Sequence, residues 1–339
     1  MSIKGTVRPP TWSGLQPSVP EWVSASEYMH EYLEPVAGLS AELYSAKFGE
    51  QVSRHIFKVI FKETGPFILK LIDPSCRALA EQAEDVANWL NCHDVPVISA
   101  TGAQVLSDGT VVLKMPYFEG HRVSATSQGL YKFGQELAKL HQVLAEAPSQ
   151  KDWEKRTKDR LDELSTMRTY LVEKGAYFGP DPKRLLDLAH DKSLDFTIGV
   201  SPVQPLHGDL NPGNVLVVDG QVIFMDFEDT LHSVLPLEYE IMLVIERFVL
   251  VRSSKDYEAT DLGREFLRGY FSKQKIDAFN HDRSPVEILR ALALRSLIVL
   301  AYGEKVGVSI PDDEWEKFFY LEEKACSRAN VIQSIFEGQ

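Results

Sequence analysis

The sequence predicts an α+β chain in two lobes. The first is a five-stranded antiparallel sheet with one inserted helix; the second is mainly helical and carries one hairpin. Three observations support this. Between residues 41 and 115 the apolar residues fall at strand spacing in five short runs separated by turn signals. After 116–120 the apolar period becomes helical. Within the helical half, residues 215–225 return to short apolar runs around Asp219-Gly220, a dipeptide that favours two-residue hairpin turns. A chain of 339 residues is also too long for one small core. The expected boundaries are an arm and helix over 1–37, the sheet lobe over 38–116 and the helical lobe over 117–339.

Residues 1–20 hold Pro9, Pro10, Pro17 and Pro20 with little periodicity and read as an irregular arm. Trp22, Val23, Tyr28 and Tyr32 suggest a helix over 21–33. Strands are expected at 43–48, 56–61 and 67–72, with turns at 49–53 and 62–66. Asp73-Pro74 opens a helix to 91, striped by Leu79, Val86, Trp89 and Leu90. Strands at 102–106 and 111–115 flank Ser107-Asp108-Gly109-Thr110, a hairpin signal. Helices are expected at 130–144 and 153–174. After the hairpin they resume at 237–251, 262–271, 286–302 and 313–335.

Hydrophobic residues make up 44% and charged residues 25%, as in folded soluble proteins. The net charge of −13 argues against a nucleic-acid partner, which needs a basic stripe. Cys76, Cys92 and Cys326 are few and widely spaced, so they offer neither a disulfide framework nor a paired metal site. A reducing cytoplasm is the expected compartment. Charges at Glu246-Arg247 and Arg295 break the richest apolar runs, so no membrane partner is expected. The expected assembly is a monomer or a homodimer.

The chemistry concentrates in residues 206–228. His207-Gly208-Asp209 is followed, five residues after the aspartate, by Asn214, and then by Asp226 at the far end of the hairpin. This spacing can place a base and two metal ligands around a transferring phosphate. Asp209 is the candidate base: a carboxylate in reach of an acceptor hydroxyl both aims it and takes its proton. His207 braces the loop. Asn214 and Asp226, at the paired ends of one hairpin, are the candidate magnesium ligands. Lys70 sits in an apolar strand, where a lysine is unusual unless its ammonium reaches a partner. Glu81 and Glu84, three apart on the next helix, are both candidates for that partner.

From His207 to Glu228 the chain resembles the aminoglycoside phosphotransferase and choline kinase superfamily, distant relatives of protein kinases. The resemblance rests on the H-G-D-x-x-x-x-N pattern of residues 207–214 and on Met225-Asp226-Phe227. It implies a bilobal, protein-kinase-like fold and a small-molecule kinase that uses ATP and Mg2+. It makes Lys70 the residue that holds the α- and β-phosphates. Gly49 to Arg54, with the Ser53 hydroxyl, becomes the loop that covers the phosphates. In Met115-Pro116-Tyr117-Phe118 the Pro116 carbonyl and the Phe118 N–H would grip adenine; proline has no N–H and can fill only the first role. Glu238 falls where many members carry a further acid.

The expected reaction is transfer of the γ-phosphate to a hydroxyl of a small molecule. Glu228, Asp229, Glu238, Glu240 and Glu246 suggest an amine-bearing acceptor: an aminoglycoside or other antibiotic, an amino sugar, an amino alcohol or a hydroxy amino acid. A role in antibiotic resistance and a metabolic role fit equally. The alternatives are a protein kinase and a non-catalytic, nucleotide-binding pseudokinase. Against the first, the chain has no long activation segment, no A-P-E and Asn211 in place of a lysine after the base.

Overall fold

The computed structural model describes residues 19–38, 41–48, 51–61, 65–175, 177–195, 202–274 and 283–337. In chain order the elements are β1 (Glu21–Ser24), α1 (Glu27–Ala37), β2 (Glu42–Phe48), β3 (Gln51–Phe61), β4 (Gly65–Ile72), α2 (Arg77–Cys92), β5 (Gly102–Val105), β6 (Val111–Pro116), α3 (Ser127–Leu144), α4 (Gln150–Lys174), α5 (Pro182–His190), β7 (Val203–Pro205), β8 (Val215–Val218), β9 (Gln221–Phe224), β10 (Val234–Pro236), α6 (Leu237–Val244), α7 (Asp256–Phe271), α8 (Pro285–Lys305), α9 (Asp312–Ser327) and α10 (Ala329–Phe336). The chain divides into two compact units. One runs up to Val123 and also takes in Gly213–Asp229; the other holds Ser124–Pro212 and the chain from Thr230 onward.

The first unit is built on an antiparallel sheet in the order β1-β2-β3-β4-β6-β5. It has six strands where five were expected. Glu21–Ser24, read from sequence as the start of a helix, pairs with β2, with Trp22 opposite Ala46. The helix begins only at Glu27, because Ser26 caps it: its side chain accepts from the Met29 N–H at 3.4 Å. One face of the sheet buries Leu43, Phe57, Val59, Leu69, Leu71 and Val112 together with Leu33 from α1. Removing each large apolar side chain from water contributes about 2 kcal/mol.

The β8–β9 hairpin belongs to this unit and not to the helical one. Asp219 (φ 50°) and Gly220 (φ 78°) form its turn, both in the left-handed region that a two-residue hairpin requires. Two short bridges tie the hairpin to the sheet unit. His121 and Val217 exchange N–H···O bonds of 3.0 and 2.7 Å. On the other strand the Phe224 N–H donates to the Pro96 carbonyl at 3.0 Å, and the Ile98 N–H to the Phe224 carbonyl at 2.9 Å. The backbones approach so closely that a Cβ on Gly120 would lie 2.7 Å from the Val217 carbonyl oxygen.

The second unit is helical around a small ribbon. Phe133 of α3 packs at 4.7 Å from Phe248 and 5.9 Å from Phe266 of α7, all fully buried. β7 and β10, three residues each, pair antiparallel. Neither strand nor α5 was expected, since such short runs carry no measurable period. The ribbon matters for placement: β7 leads into His207, and β10 leads into α6. The final helix expected over 313–335 is broken at Arg328. Its buried guanidinium donates to the carbonyls of Leu250 and Ser253 at 3.1 and 2.8 Å and to Asp256 at 2.8 Å. Among the described residues no helix is long and apolar enough to cross a membrane.

Candidate active site

In the helical unit the loop after β7 is held by one buried acid. Glu240, on the first turn of α6, accepts from the His207 N–H at 2.9 Å and the Gly208 N–H at 2.7 Å. It also meets His141 Nε2 of α3 at 2.8 Å, and His141 Nδ1 lies 2.7 Å from the Tyr270 hydroxyl. Burial alone would push the Glu240 carboxyl up. The His141 hydrogen bond, the charges of His141 and His207 and the Gly208 N–H outweigh it and hold the group below the usual carboxylate range. His207 is fully buried, and its carbonyl accepts from the Thr230 hydroxyl at 3.1 Å. Glu240 is thus the acid that braces this loop.

Asp209 is partly exposed. Its Oδ2 accepts from the Asn211 amide at 2.9 Å and its Oδ1 from Arg247 at 3.0 Å. Arg247 stands on a π-helical turn, Ile245–Leu250, that continues α6. In this turn the Val251 N–H donates five residues back to the Glu246 carbonyl at 3.0 Å. Beside Arg247, Glu246 is buried, and desolvation pushes its carboxyl up to about 7 against a partial offset from Arg247, whose Nε lies at 3.7 Å. The unfolded chain loses this proton near 4.5, whereas the folded chain keeps it to about 7. Folding stability therefore falls as pH rises between these values and levels off above them. Replacing Glu246 with Gln is expected to shrink the stability drop between pH 5 and pH 8 by about 2–4 kcal/mol, read from urea unfolding at the two pH values. An undiminished drop would place the titration elsewhere.

In the sheet unit, Lys70 projects from the central strand β4, opposite Ile56 of β3 and Leu113 of β6. Its Nζ donates to Asp226 Oδ1 at 3.1 Å and to Glu228 Oε1 at 2.8 Å. Burial would lower its pKa, but the two carboxylates raise it overall and keep the ammonium charged. Asp226 adopts a left-handed backbone (φ 71°), a strained conformation that aspartate tolerates better than most residues. The Met225 N–H donates to the Asn214 carbonyl at 3.1 Å, so Asn214 and Asp226 flank one cross-hairpin bond.

The expected Lys70 pair with Glu81 or Glu84 does not form. Glu81 binds Arg77 on the exposed face of α2 at 2.8 Å. Glu84 accepts from the Ala100 N–H at 2.6 Å, and burial raises its pKa. A backbone donor ahead of β5 has claimed that carboxylate. The acid that sequence reasoning missed is Glu228. Its only signal in the sequence was its nearness to Asp226, two residues away.

Ser53 lies in a bulge of β3, where residues 53–56 face only Ala46 of β2. Its hydroxyl oxygen accepts from the His55 and Ile56 N–H groups, both at 3.1 Å, which leaves its O–H to donate outward. Gly49 and Glu50 lie outside the described residues. Pro116 ends β6 opposite Phe67, and Phe118 beyond it is exposed. Arg290 binds Glu322 at 2.8 Å and Asp191 at 3.3 Å. Among the described residues no group of three or more His, Cys, Asp or Glu side chains could cage a metal.

A family model described as the phosphotransferase enzyme family matches residues 46–269. A search of curated protein sequences finds no match. Among solved structures, the chain is similar to the amicoumacin kinase hAmiN in complex with AMP-PNP, Ca2+ and Ami, at 15% identity and a TM-score of 0.58, covering 83% of this chain and 88% of that one. It is similar to a ternary complex of aminoglycoside phosphotransferase APH(4)-Ia with AMP-PNP and hygromycin B, at 12% identity and 0.57, covering 93% and 100%. It is also similar to choline kinase LicA from Streptococcus pneumoniae, at 13% identity and 0.53, covering 89% and 98%.

Proposed function

Because this chain belongs to the phosphotransferase enzyme family, we propose that it moves the γ-phosphoryl group of ATP to a hydroxyl of a small molecule. What supports this most is the cluster of Lys70, Asp226 and Glu228 beside Asn214 on the β8–β9 hairpin. The base candidate Asp209 lies five residues before Asn214 in the same loop.

The donor set suits magnesium, which takes one or two carboxylate or amide oxygens from protein and completes its shell with phosphate and water. Asn214 and Asp226 would hold it, and when bound it neutralises charge on the β- and γ-phosphate oxygens. Lys70 places the phosphates by charge-assisted hydrogen bonds. Ser53 adds an O–H donor. Asp209 aims the acceptor hydroxyl and takes its proton as the new P–O bond forms. Asn211 and Arg247 each donate to one of the two Asp209 oxygens, which fixes the carboxylate for the acceptor.

Three of the five acids that pointed to an amine-bearing acceptor are engaged elsewhere: Glu228 with Lys70, Glu240 with the loop, and Glu246 in the interior. The net charge of −13 still favours cationic acceptors, so aminoglycosides, amino sugars, choline-like alcohols and hydroxy amino acids lead the panel to be screened. The test is acceptor-dependent ADP release across that panel. ADP release with none of them, alongside tight ATP binding, would favour the pseudokinase reading.

Replacing Lys70 with Met should weaken ATP binding by about tenfold or more, read by calorimetry. Its partners are more than a third exposed, so the screened ion pairs add little to stability, and unfolding should shift by no more than about 1 kcal/mol. Unchanged ATP affinity would remove Lys70 from the nucleotide site.

A further inference from the structure

Arg122 is a buried cation, 8% exposed, in the segment that bridges to β8. No carboxylate among the described residues pairs with it. Desolvation alone pushes its guanidinium down to about 10, and its Nε is buried without a hydrogen-bond partner. Its Nη1 donates to two backbone carbonyls, Gly213 at 2.8 Å and Val215 at 3.3 Å. These flank Asn214, whose own carbonyl accepts from the Met225 N–H at 3.1 Å. Three consecutive carbonyls are thereby fixed, and the backbone of Asn214 has little freedom left.

A buried charge without a counter-ion is costly, and an apolar side chain of similar length would fill this space at lower cost. What the guanidinium supplies that such a side chain cannot is the pair of bonds on either side of Asn214. We propose that Arg122 is a positioning residue for the metal carried with the nucleotide: it locks the peptide planes around Asn214 and so sets where the Asn214 amide oxygen stands. The proposal rests on the reading of Asn214 as a metal ligand. Magnesium demands near-ideal octahedral geometry with short bonds, so a ligand released by a fraction of an ångström binds it poorly.

The test is the affinity for ATP measured by calorimetry with Mg2+ and again with EDTA, for the wild type, Arg122→Met and Arg122→Lys. The wild type gains affinity from Mg2+. In Arg122→Met that gain falls by about tenfold or more, while affinity in EDTA is unchanged. Arg122→Lys keeps the charge, but its ammonium stands one bond nearer the backbone and lacks the planar group that aims Nη1 at the two carbonyls, so its gain is intermediate. The lysine variant keeps the question open to measurement if the methionine variant does not fold. An Arg122→Met protein with the full Mg2+ gain, an equal loss with and without Mg2+, or a lysine variant equal to the wild type would each overturn the proposal. A wild type with no Mg2+ gain would overturn the kinase reading itself, and this inference with it.

Discussion

Asp209→Asn is expected to fold, to bind ATP as the wild type does, and to turn over about a hundred- to ten-thousandfold more slowly. The amide keeps an oxygen that can accept from Arg247, so the loop geometry survives. Asp209 is partly exposed, and its ion pair with Arg247 is worth at most about 1 kcal/mol of stability. What the substitution removes is the proton acceptor. The check is ADP release at saturating acceptor, paired with ATP binding by calorimetry. A variant that kept wild-type turnover would strip Asp209 of its role. One that lost ATP binding as well would show a structural defect.

Glu240→Ala should be the most damaging single change for stability, at about 3–5 kcal/mol in urea unfolding at pH 7. Glu240 is fully buried and satisfies two backbone N–H groups and one imidazole nitrogen. Truncation leaves all three without their acceptor, and for the two in the interior, the His207 N–H and the His141 nitrogen, each unsatisfied group costs about 1–3 kcal/mol before relaxation. Glu240→Gln keeps the shape and one acceptor oxygen, so its loss should be smaller. The pH dependence has a definite sign. The folded pKa lies below the ordinary value, so the stabilisation is complete above about 4.5 and is lost as pH falls through the folded value. The alanine variant lacks that acid-labile component. If it unfolded within about 1 kcal/mol of the wild type at pH 7, Glu240 would not be what braces the loop.

The sequence made the local chemistry legible and left the long-range partners hidden. Asp219-Gly220 specified its hairpin because a left-handed pair leaves few other conformations. The lysine in β4 stood out because an apolar strand gives its ammonium no other reason to be there. Which acid meets that lysine depends on packing, and there the expectation of Glu81 or Glu84 failed in favour of Asp226 and Glu228. Glu240 had a trace: it is the one acid among Tyr239, Ile241 and Met242, where a helix turned inward needs a reason to carry a charge. Glu238 falls at the position the resemblance singles out, whereas the loop that Glu240 holds is entered through β7 of the β7–β10 ribbon. That ribbon is too short for period 2 to register. The π-turn that brings Arg247 to Asp209 has no sequence signal at all, since one extra residue per turn leaves composition unchanged.

The most direct measurement supplies γ-labelled ATP and Mg2+ with the acceptor panel and asks where the label ends. Label is expected on a hydroxyl of a small-molecule acceptor with the wild type, and is expected to disappear almost completely with Asp209→Asn. Label found only in free phosphate or on protein, or transferred equally by the two enzymes, would contradict this expectation.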